Sequence, residues 1–125
     1  LKVISKMSRF KKKREFSILL TNNEMMKKFN LKFRKKNKST DILSFPLNSH
    51  FEKKHYIGDI ALSFEIINKR SKSSNFSIEL DRMWIHGLLH LIGYDHKRLK
   101  DFEIMNKEEK FLLKNLYKKI DYKTL

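Results

Sequence analysis

Apolar residues recur along this chain with two different spacings, and the spacing separates strands from helices. Short apolar runs of strand length occur at three places: FSILL (16–20), DILSFP (41–46) and IGDIALS (57–63). Helices are predicted in four further segments: 1–14, 21–30, 64–72 and 78–92. The pattern therefore predicts a chain that mixes strands and helices, with one more helix at its C-terminal end.

The first strand is followed by a short predicted helix. Thr21 or Asn22 can cap its N-terminus with a side-chain oxygen, and Glu24 lies in its first turn, where the helix macrodipole favours an anion. The next residues, LKFRKKNKST (31–40), are strongly basic and end in turn-forming residues. We interpret them as a basic stretch that leads into a loop, and 47–56 as a polar connection between the second and third strands.

Two helices of opposite character are predicted in the C-terminal half. The segment IELDRMWIHGLLHLI (78–92) is apolar on most sides, so we expect it to be the buried central helix. The segment 95–119 is highly charged and is predicted to form a surface helix, with Glu108, Glu109 and the lysines that follow them on its exposed face. Its residues expected to point inward are Phe102, Met105, Phe111, Leu112 and Leu116.

Composition restricts the class of protein. A length of 125 residues suits one compact domain, which we draw over 1–125 because no repeat or linker interrupts the sequence. The chain contains no cysteine, which excludes disulfides and thiolate metal sites. No apolar run is long enough to span a bilayer, so we expect a cytoplasmic protein that does not bind membranes.

The chain is strongly basic, with 29 Lys and Arg against 14 Asp and Glu and a formal charge of +15. A surface of this sign attracts polyanions, and RNA or DNA is the natural partner. The same excess of lysine would also arise from an AT-rich genome, because asparagine, isoleucine and phenylalanine are abundant as well. Charge alone therefore leaves nucleic-acid binding open.

Three of the five histidines are gathered in HGLLHLIGYDH (86–96). His86 and His90 are one helical turn apart, so on a helix they project side by side and can bind one ion. Gly93 permits the positive φ that ends a helix, and His96 follows where a returning loop would complete a set of three ligands. Three histidines with an open fourth position form the ligand set of a catalytic zinc. The alternative is three unrelated histidines that share this spacing by coincidence.

The spacing leaves the metal and its chemistry open. HxxxHxxGxxH is the spacing of the metzincin proteases, in which a glutamate follows the first histidine as general base. Gly87 occupies that position here, which weakens a peptidase interpretation and indicates a close approach of backbone or ligand. Zinc is the metal that we expect, although nickel, copper and iron also accept histidine. Asp95 or Asp59 could hold an imidazole in the required tautomer, and Asp95 is equally an ordinary turn residue.

These residues resemble a known family, the YbeY endoribonucleases. HGLLHLIGYDH resembles the family signature H-G-x-L-H-L-x-G-Y-D-H. NLKFR and TDILSFP (30–34 and 40–46) are similar to the family's N-x-x-Y-R and T-D-V-L-S-F-P, with Phe33 in place of the usual tyrosine, and IGDIALS is similar to L-G-D-I-x-I-S. The three blocks occur in the family's order and extend over most of residues 16–96, while the N-terminal region looks short relative to the family.

The resemblance implies a fold, a site and an activity. The fold would be α+β, with a small mixed β-sheet flanked by helices and a buried central helix that carries the histidines. One zinc ion would be held by His86, His90 and His96 beside a positively charged cleft, with Arg34 and His90 as catalytic residues. The activity would be metal-dependent cleavage of single-stranded RNA in maturation of the 3′ end of 16S ribosomal RNA, ribosome biogenesis and ribosome quality control. The small ribosomal subunit would be the partner, and no DNA substrate is expected.

Elementary phosphoryl chemistry agrees with this implication. Hydrolysis of a phosphodiester needs a polarised phosphoryl oxygen, a nucleophile and stabilisation of negative charge; an open zinc can supply the first two and Arg34 the third. No general base is evident in the sequence. The stretch from Lys32 to Lys38 is a candidate track for a single strand, on which Phe33 would stack a base. The alternative, which we slightly favour, is that Phe33 belongs to the core of a strand.

Two other functions are compatible with the sequence. The chain could be a non-catalytic, ribosome-associated assembly factor whose metal site is structural and whose basic surface binds the ribosome. A zinc peptidase fits less well because of Gly87 and the charge. Comparing RNA binding with RNA cleavage in a histidine variant separates the enzyme from the assembly factor.

Overall fold

The computed structural model describes residues 14–47, 56–95 and 97–124, with side chains up to Tyr117. Three strands and four α-helices occur in this part of the chain, with a short 3₁₀ turn at Ser71–Ser73. Their order is β1 (Glu15–Thr21), α1 (Asn23–Arg34), β2 (Ile42–Pro46), β3 (Tyr56–Ser63), α2 (Phe64–Arg70), α3 (Phe76–Leu91) and α4 (Leu99–Thr124). The helix predicted over 1–14 and most of the predicted 47–56 connection lie outside the described residues.

The sheet is mixed, and β3 lies at its centre in the order β1-β3-β2. β3 pairs in parallel with β1, where Ile18 lies opposite Ile60, and antiparallel with β2, where Leu43 lies opposite Ala61. All three predicted strands are confirmed with ends that differ by a single residue. The arrangement confirms the predicted α+β fold with a small mixed sheet flanked by helices.

Helices cover both faces of the sheet, which explains why β3 carries consecutive apolar residues. Ile60 and Leu62 point to a core that contains α3, and Ala61 points to a second cluster with Met26 of α1 and Leu43 of β2. A strand buried on both faces reads as a continuous apolar run. α3 is the buried central helix that the sequence predicted, since Ile85, Leu88 and Leu89 are at most 1% exposed.

Gly87 lets α3 approach the sheet closely. A Cβ atom at this position would lie 2.8 Å from Cδ1 of Ile42 and 2.9 Å from Cγ2 of Ile60. The Ser44 hydroxyl also donates a hydrogen bond to the carbonyl oxygen of Gly87, at 3.1 Å. The sequence predicted a close approach of backbone or ligand at Gly87. The structure shows that the helix approaches the sheet there. A glutamate here would run into the packed strands, so the position does not suit the base of a metzincin.

α1 is longer than the sequence pattern indicated. The predicted basic stretch begins with four residues that belong to the helix, which ends at Arg34 because Lys35 takes a left-handed φ of 58°. Asn22, one of the two predicted caps, accepts a hydrogen bond from the backbone N–H of Met25 at 2.8 Å. The buried side chain of Asn30 donates to the carbonyl oxygen of Lys38 at 2.9 Å, which folds the following loop back against the helix.

α4 departs from its predicted faces in two respects. Met105, Leu112 and Leu116 are buried as predicted, and Phe111 packs partly buried against the same core. Phe102 is 55% exposed, contrary to prediction, because the first turn of α4 extends beyond the packed core, as the 76% exposure of Leu99 also shows. Glu108 and Glu109, predicted to be exposed, instead lie on the inward stripe: Glu108 is 7% exposed and Glu109 contacts α3.

None of the described helices combines the length and the apolar character needed to cross a bilayer.

Candidate active site

A cleft of about 820 Å³ lies between β2 and α3 and brings together residues from several elements. The sequence-predicted residues Arg34, His86 and His90 all line it. Arg70, Arg82 and Glu109 line it as well, and none of these three was among the predicted site residues. The cleft thus gathers two imidazoles, three guanidinium groups and four carboxylates, the last from Asp41, Glu79, Asp95 and Glu109.

The two histidines of α3 face each other. Nε2 of His86 and Nε2 of His90 are 3.1 Å apart. On the other side of each ring, Nδ1 of His86 contacts the carboxylate of Glu109, and Nδ1 of His90 lies 3.0 Å from the backbone carbonyl oxygen of Tyr94. Because an ionised carboxylate and a carbonyl oxygen only accept hydrogen bonds, each Nδ1 is the donor when the imidazole is neutral. Each neutral ring then carries its lone pair on Nε2, the atom that faces the other histidine.

This pair of nitrogens fits two ligands of one zinc ion. Zn–N bonds of about 2.0–2.1 Å at a tetrahedral centre separate two ligand nitrogens by roughly 3.3 Å, close to the separation observed here. Two lone pairs at such a distance repel each other unless a proton or a metal ion lies between them. The third predicted ligand, His96, lies outside the described residues, and within the described ranges no group of three histidine or acidic side chains could hold a metal.

The end of α3 fixes the second histidine. Gly93 has the positive φ, 105°, that the sequence predicted, and the chain turns there. The N–H of Tyr94 donates to the carbonyl oxygen of Leu89 at 2.9 Å. That turn brings the Tyr94 carbonyl oxygen back to the His90 ring, so the glycine sets the orientation of an imidazole three residues before it.

Glu109 is the contact that sequence reasoning missed. Asp59, one of two proposed partners for an imidazole, instead accepts hydrogen bonds from the Ser17 and Tyr56 hydroxyls across β1 and β3. The other candidate, Asp95, lines the cleft and pairs with Lys97 at 3.9 Å. Helical spacing from the buried Met105 could have identified Glu109, because a residue four positions later lies on the same face.

Arg34 is joined to the histidine helix through β2. Its Nη2 donates to the carbonyl oxygen of Ser44 at 2.7 Å, and its guanidinium carbon lies 5.5 Å from the centre of the Phe45 ring. The Ser44 hydroxyl in turn donates to the carbonyl oxygen of Gly87, the neighbour of His86. One hydrogen-bonded frame therefore sets Arg34 relative to the histidines.

The other two arginines of the cleft are paired with acids. Nη1 of Arg70 lies 2.9 Å from the carboxylate of Asp41, and Nη1 of Arg82 lies 3.7 Å from that of Glu79. For Arg34 the described residues offer a carbonyl and an aromatic ring but no carboxylate partner. Among the three, Arg34 is the guanidinium whose charge is least compensated.

The family model described as Endoribonuclease YbeY matches residues 1–117. The chain belongs to this family. The Endoribonuclease YbeY of Pelagibacter ubique is 46% identical over 113 residues, which cover 87% of this chain and 74% of that protein. The protein of the same name from Aquifex aeolicus is 33% identical over 107 residues, which cover 83% of this chain and 71% of that protein.

Coverage is lower for other YbeY relatives. The YbeY protein of Buchnera aphidicola subsp. Acyrthosiphon pisum is 48% identical over 99 residues, or 75% of this chain and 63% of that protein. The chain spans from half to about three quarters of the length of the YbeY relatives that it matches. The solution structure of TM1509 from Thermotoga maritima matches with a TM-score of 0.62 and 26% identity over 88% of this chain and 73% of that one. This chain thus shares its fold with that solved structure.

Proposed function

We propose that this protein is a metal-dependent endoribonuclease that cleaves single-stranded RNA. The observation that carries the proposal is the pair of Nε2 atoms, 3.1 Å apart, in a cleft shared with Arg34. Membership of the Endoribonuclease YbeY family supports the reaction class, and the charge of +15 supports a polyanionic substrate.

His86, His90 and His96 would hold one zinc ion, with His96 assigned from the motif alone. When bound, the ion supplies Lewis acidity at a phosphoryl oxygen and lowers the pKa of a bound water to about 7. A water of that acidity needs no strong side-chain base, which agrees with the lack of an evident general base in the sequence.

Glu109 and the Tyr94 carbonyl oxygen would act as positioning groups for the imidazoles. Each accepts a hydrogen bond from the Nδ1–H group of its histidine, so that Nε2 is the ligand atom and the ring cannot rotate freely. Because these acceptors are already in contact, the protein needs little rearrangement to receive the ion. This is the chain's own contribution to metal affinity.

Arg34 would bind the phosphate that is attacked. One N–H group of its guanidinium is used by Ser44, which leaves other N–H groups of the fork for phosphate oxygens. Charge on those oxygens grows in the transition state, and a donor held in place by the Ser44 carbonyl oxygen stabilises it. Arg70 is already paired with Asp41, so it is less suited to this role.

The resemblance extends the proposal to a biological substrate. We propose maturation of the 3′ end of 16S ribosomal RNA, in ribosome biogenesis and quality control, with the small ribosomal subunit as the partner and the cytoplasm as the location. A substrate held by the ribosome would compensate for an open cleft, because positioning contributes much of the rate of a phosphoryl reaction.

The test compares the purified protein with His90→Ala and, as a matched control, Lys107→Ala, which changes an exposed residue of α4. The substrate is an end-labelled single-stranded fragment of 16S ribosomal RNA. We expect His90→Ala to lose cleavage by more than about 10³-fold while keeping its circular dichroism spectrum and its RNA affinity. Equal cleavage by all three proteins would reveal a contaminating ribonuclease. RNA binding without cleavage by the zinc-loaded wild type would favour the assembly factor.

A further inference from the structure

The end of α1 and the residues after it form a basic surface beside the cleft. Every residue from Leu31 to Lys38 is exposed. This range holds one aromatic residue and four lysines that are close to it in sequence. We name these five exposed residues the α1 platform: Phe33, Lys32, Lys35, Lys36 and Lys38. The platform contains no acidic residue.

The ring of Phe33 is exposed yet held in place. It is 50% exposed, meets Phe45 edge to face with centroids 5.1 Å apart, and lies 6.4 Å from Phe29. Nζ of Lys32 lies 5.3 Å from its centroid. Phe33 is therefore part of a helix and a surface cluster, and the alternative that it is strand core is wrong. A ring fixed by two others loses little conformational entropy when a base stacks on it.

The lysines of the platform are available to a polyanion. Among the described residues, none of these four side chains forms an ion pair with a carboxylate. The acids that flank the platform in sequence are engaged elsewhere, Glu24 with Lys28 at 3.8 Å and Asp41 with Arg70. Lysines without carboxylate partners on the same exposed segment as an aromatic ring are the combination found in surfaces that bind single strands.

The platform is continuous with the cleft. Arg34 follows Phe33 in the last turn of α1 and lines the cleft, while the ring of Phe45 contacts both side chains. A strand whose phosphate lies at Arg34 therefore leaves the cleft across the platform. Duplex RNA cannot stack its paired bases on a side chain, so the ring favours unpaired RNA.

We propose that the α1 platform binds single-stranded RNA outside the cleft, with one base stacked on Phe33 and the neighbouring phosphates held by its lysines. This proposal depends on the proposed nuclease function in one respect only: that function identifies the strand in the cleft as RNA. Its partner is single-stranded RNA, and binding there is independent of any metal.

The binding test uses His90→Ala protein without metal, so that no cleavage interferes, and a fluorescein-labelled RNA oligonucleotide, single-stranded or annealed to its complement. We expect Phe33→Leu to weaken single-strand binding about tenfold. Phe33→Tyr keeps an aromatic ring and should bind as tightly as the protein with Phe33. The matched control is Phe64→Leu, since Phe64 of α2 is 46% exposed and packs against Phe76 of α3. Lys36→Gln should make the slope of log affinity against log salt concentration shallower by about 0.7. Lys107→Gln should leave that slope unchanged.

Equal single-strand affinities for Phe33→Leu and Phe64→Leu would overturn the proposal, as would an equal loss of duplex binding in Phe33→Leu. Substrate length gives a second readout with metal-loaded protein: Phe33→Leu should raise KM for a long single strand and leave a dinucleotide substrate unaffected. If the wild type binds as expected but cleaves nothing, the platform stands and the nuclease fails. If it cleaves without dependence on Phe33, the nuclease stands and the platform fails.

Discussion

The cleft and the α1 platform both present cations to solvent, but they hold them in different ways. Each arginine of the cleft has a partner: Arg34 donates to the Ser44 carbonyl oxygen, Arg70 meets Asp41 and Arg82 meets Glu79. The histidines are likewise held at Nδ1. The lysines of the platform have no carboxylate partner in the described part of the chain. The cleft fixes direction as well as charge, whereas the platform supplies charge and one fixed ring.

This difference separates two kinds of recognition. A reacting phosphate needs donors at set distances, and a rigid guanidinium held by a carbonyl oxygen provides them. A strand that only passes by needs neutralised phosphates, which mobile ammonium groups provide equally well. Substitutions should therefore be sensitive to geometry in the cleft and to charge alone at the lysines of the platform.

Exchanging arginine for lysine gives the largest effect and tests the comparison directly. We expect Arg34→Lys to lower kcat for RNA cleavage about 10²-fold, because the ammonium cannot hold the Ser44 carbonyl oxygen and a phosphate together. Lys36→Arg in the platform should change cleavage little. The measurement is single-turnover cleavage at saturating RNA. If Arg34→Lys retains most of the wild-type rate, the cleft does not depend on geometry more than the platform does.

Removing the carboxylate that contacts His86 gives the next largest effect. We expect Glu109→Leu to weaken zinc binding about 10–100-fold, with Glu109→Gln in between because its amide oxygen still accepts a hydrogen bond. Glu103→Leu, an exposed change on the same helix, is the control. Zinc affinity is measured by competition with a chromogenic chelator.

A second readout for Glu109 does not involve the metal. Long-range ¹H–¹⁵N spectra of the metal-free protein report which nitrogen of His86 carries the proton. The wild type should hold it on Nδ1, and Glu109→Leu should lose that preference. Unchanged affinity together with an unchanged tautomer would show that the contact between Glu109 and His86 is incidental.

Packing beneath the histidines gives a smaller effect. Gly87→Ala places a methyl group against Ile42 and Ile60, which costs about 1–3 kcal/mol by overpacking and regains about 1 kcal/mol of helix propensity. We expect a net loss in the free energy of unfolding of about 1 kcal/mol. Urea unfolding followed through Trp84, the single tryptophan, measures it.

The double variant Gly87→Ala with Ile42→Val identifies the clash. Valine lacks the Cδ1 atom that the new methyl group meets, so the two changes together should destabilise by less than the sum of their separate effects. Additive effects would place the strain elsewhere.

The sequence predicted those parts of the fold that depend on local pattern. Three strands were found within a residue of their ends, and the apolar character of 78–92 identified the central helix. The positive φ of Gly93 and the side-by-side histidines also follow from residue type and spacing. The spacing of apolar residues shows whether one element is a strand or a helix and which of its sides is buried. The features above depend on that information alone.

The contacts between distant elements could not be obtained in this way. Glu109 lies on a charged helix that looked exposed, and only the packing of α4 against α3 brings it to His86. α1 was ended too early because its last turn is basic, although leucine, lysine and arginine are all good helix formers. Because of this error, the sequence did not reveal that Phe33 and Arg34 lie in the same helical turn. Phe33 belongs to the platform and Arg34 lines the cleft.

The smallest effect is expected at Tyr117, which supports α3 at a point remote from the cleft. The Tyr117 hydroxyl donates to Asp81 at 2.9 Å, and the Trp84 indole N–H donates to the same carboxylate at 2.8 Å. Burial, together with the hydrogen bond to Asp81 and its charge, raises the pKa of Tyr117 to about 12. An unfolded tyrosine ionises near pH 10, so this hydroxyl stabilises the fold fully below about pH 10 and progressively less as pH rises to about 12.

Tyr117→Phe should therefore be less stable than the wild type below pH 10, and the difference in the free energy of unfolding should shrink as pH rises towards 12. Ultraviolet titration of the variant should lack the ionisation near pH 12. Because Tyr117 supports α3 from α4 without touching the cleft, zinc affinity and RNA cleavage at neutral pH should equal those of the wild type. A loss of cleavage in a folded Tyr117→Phe would show that the geometry of the cleft depends on the whole α3–α4 contact rather than on Glu109 and Ser44.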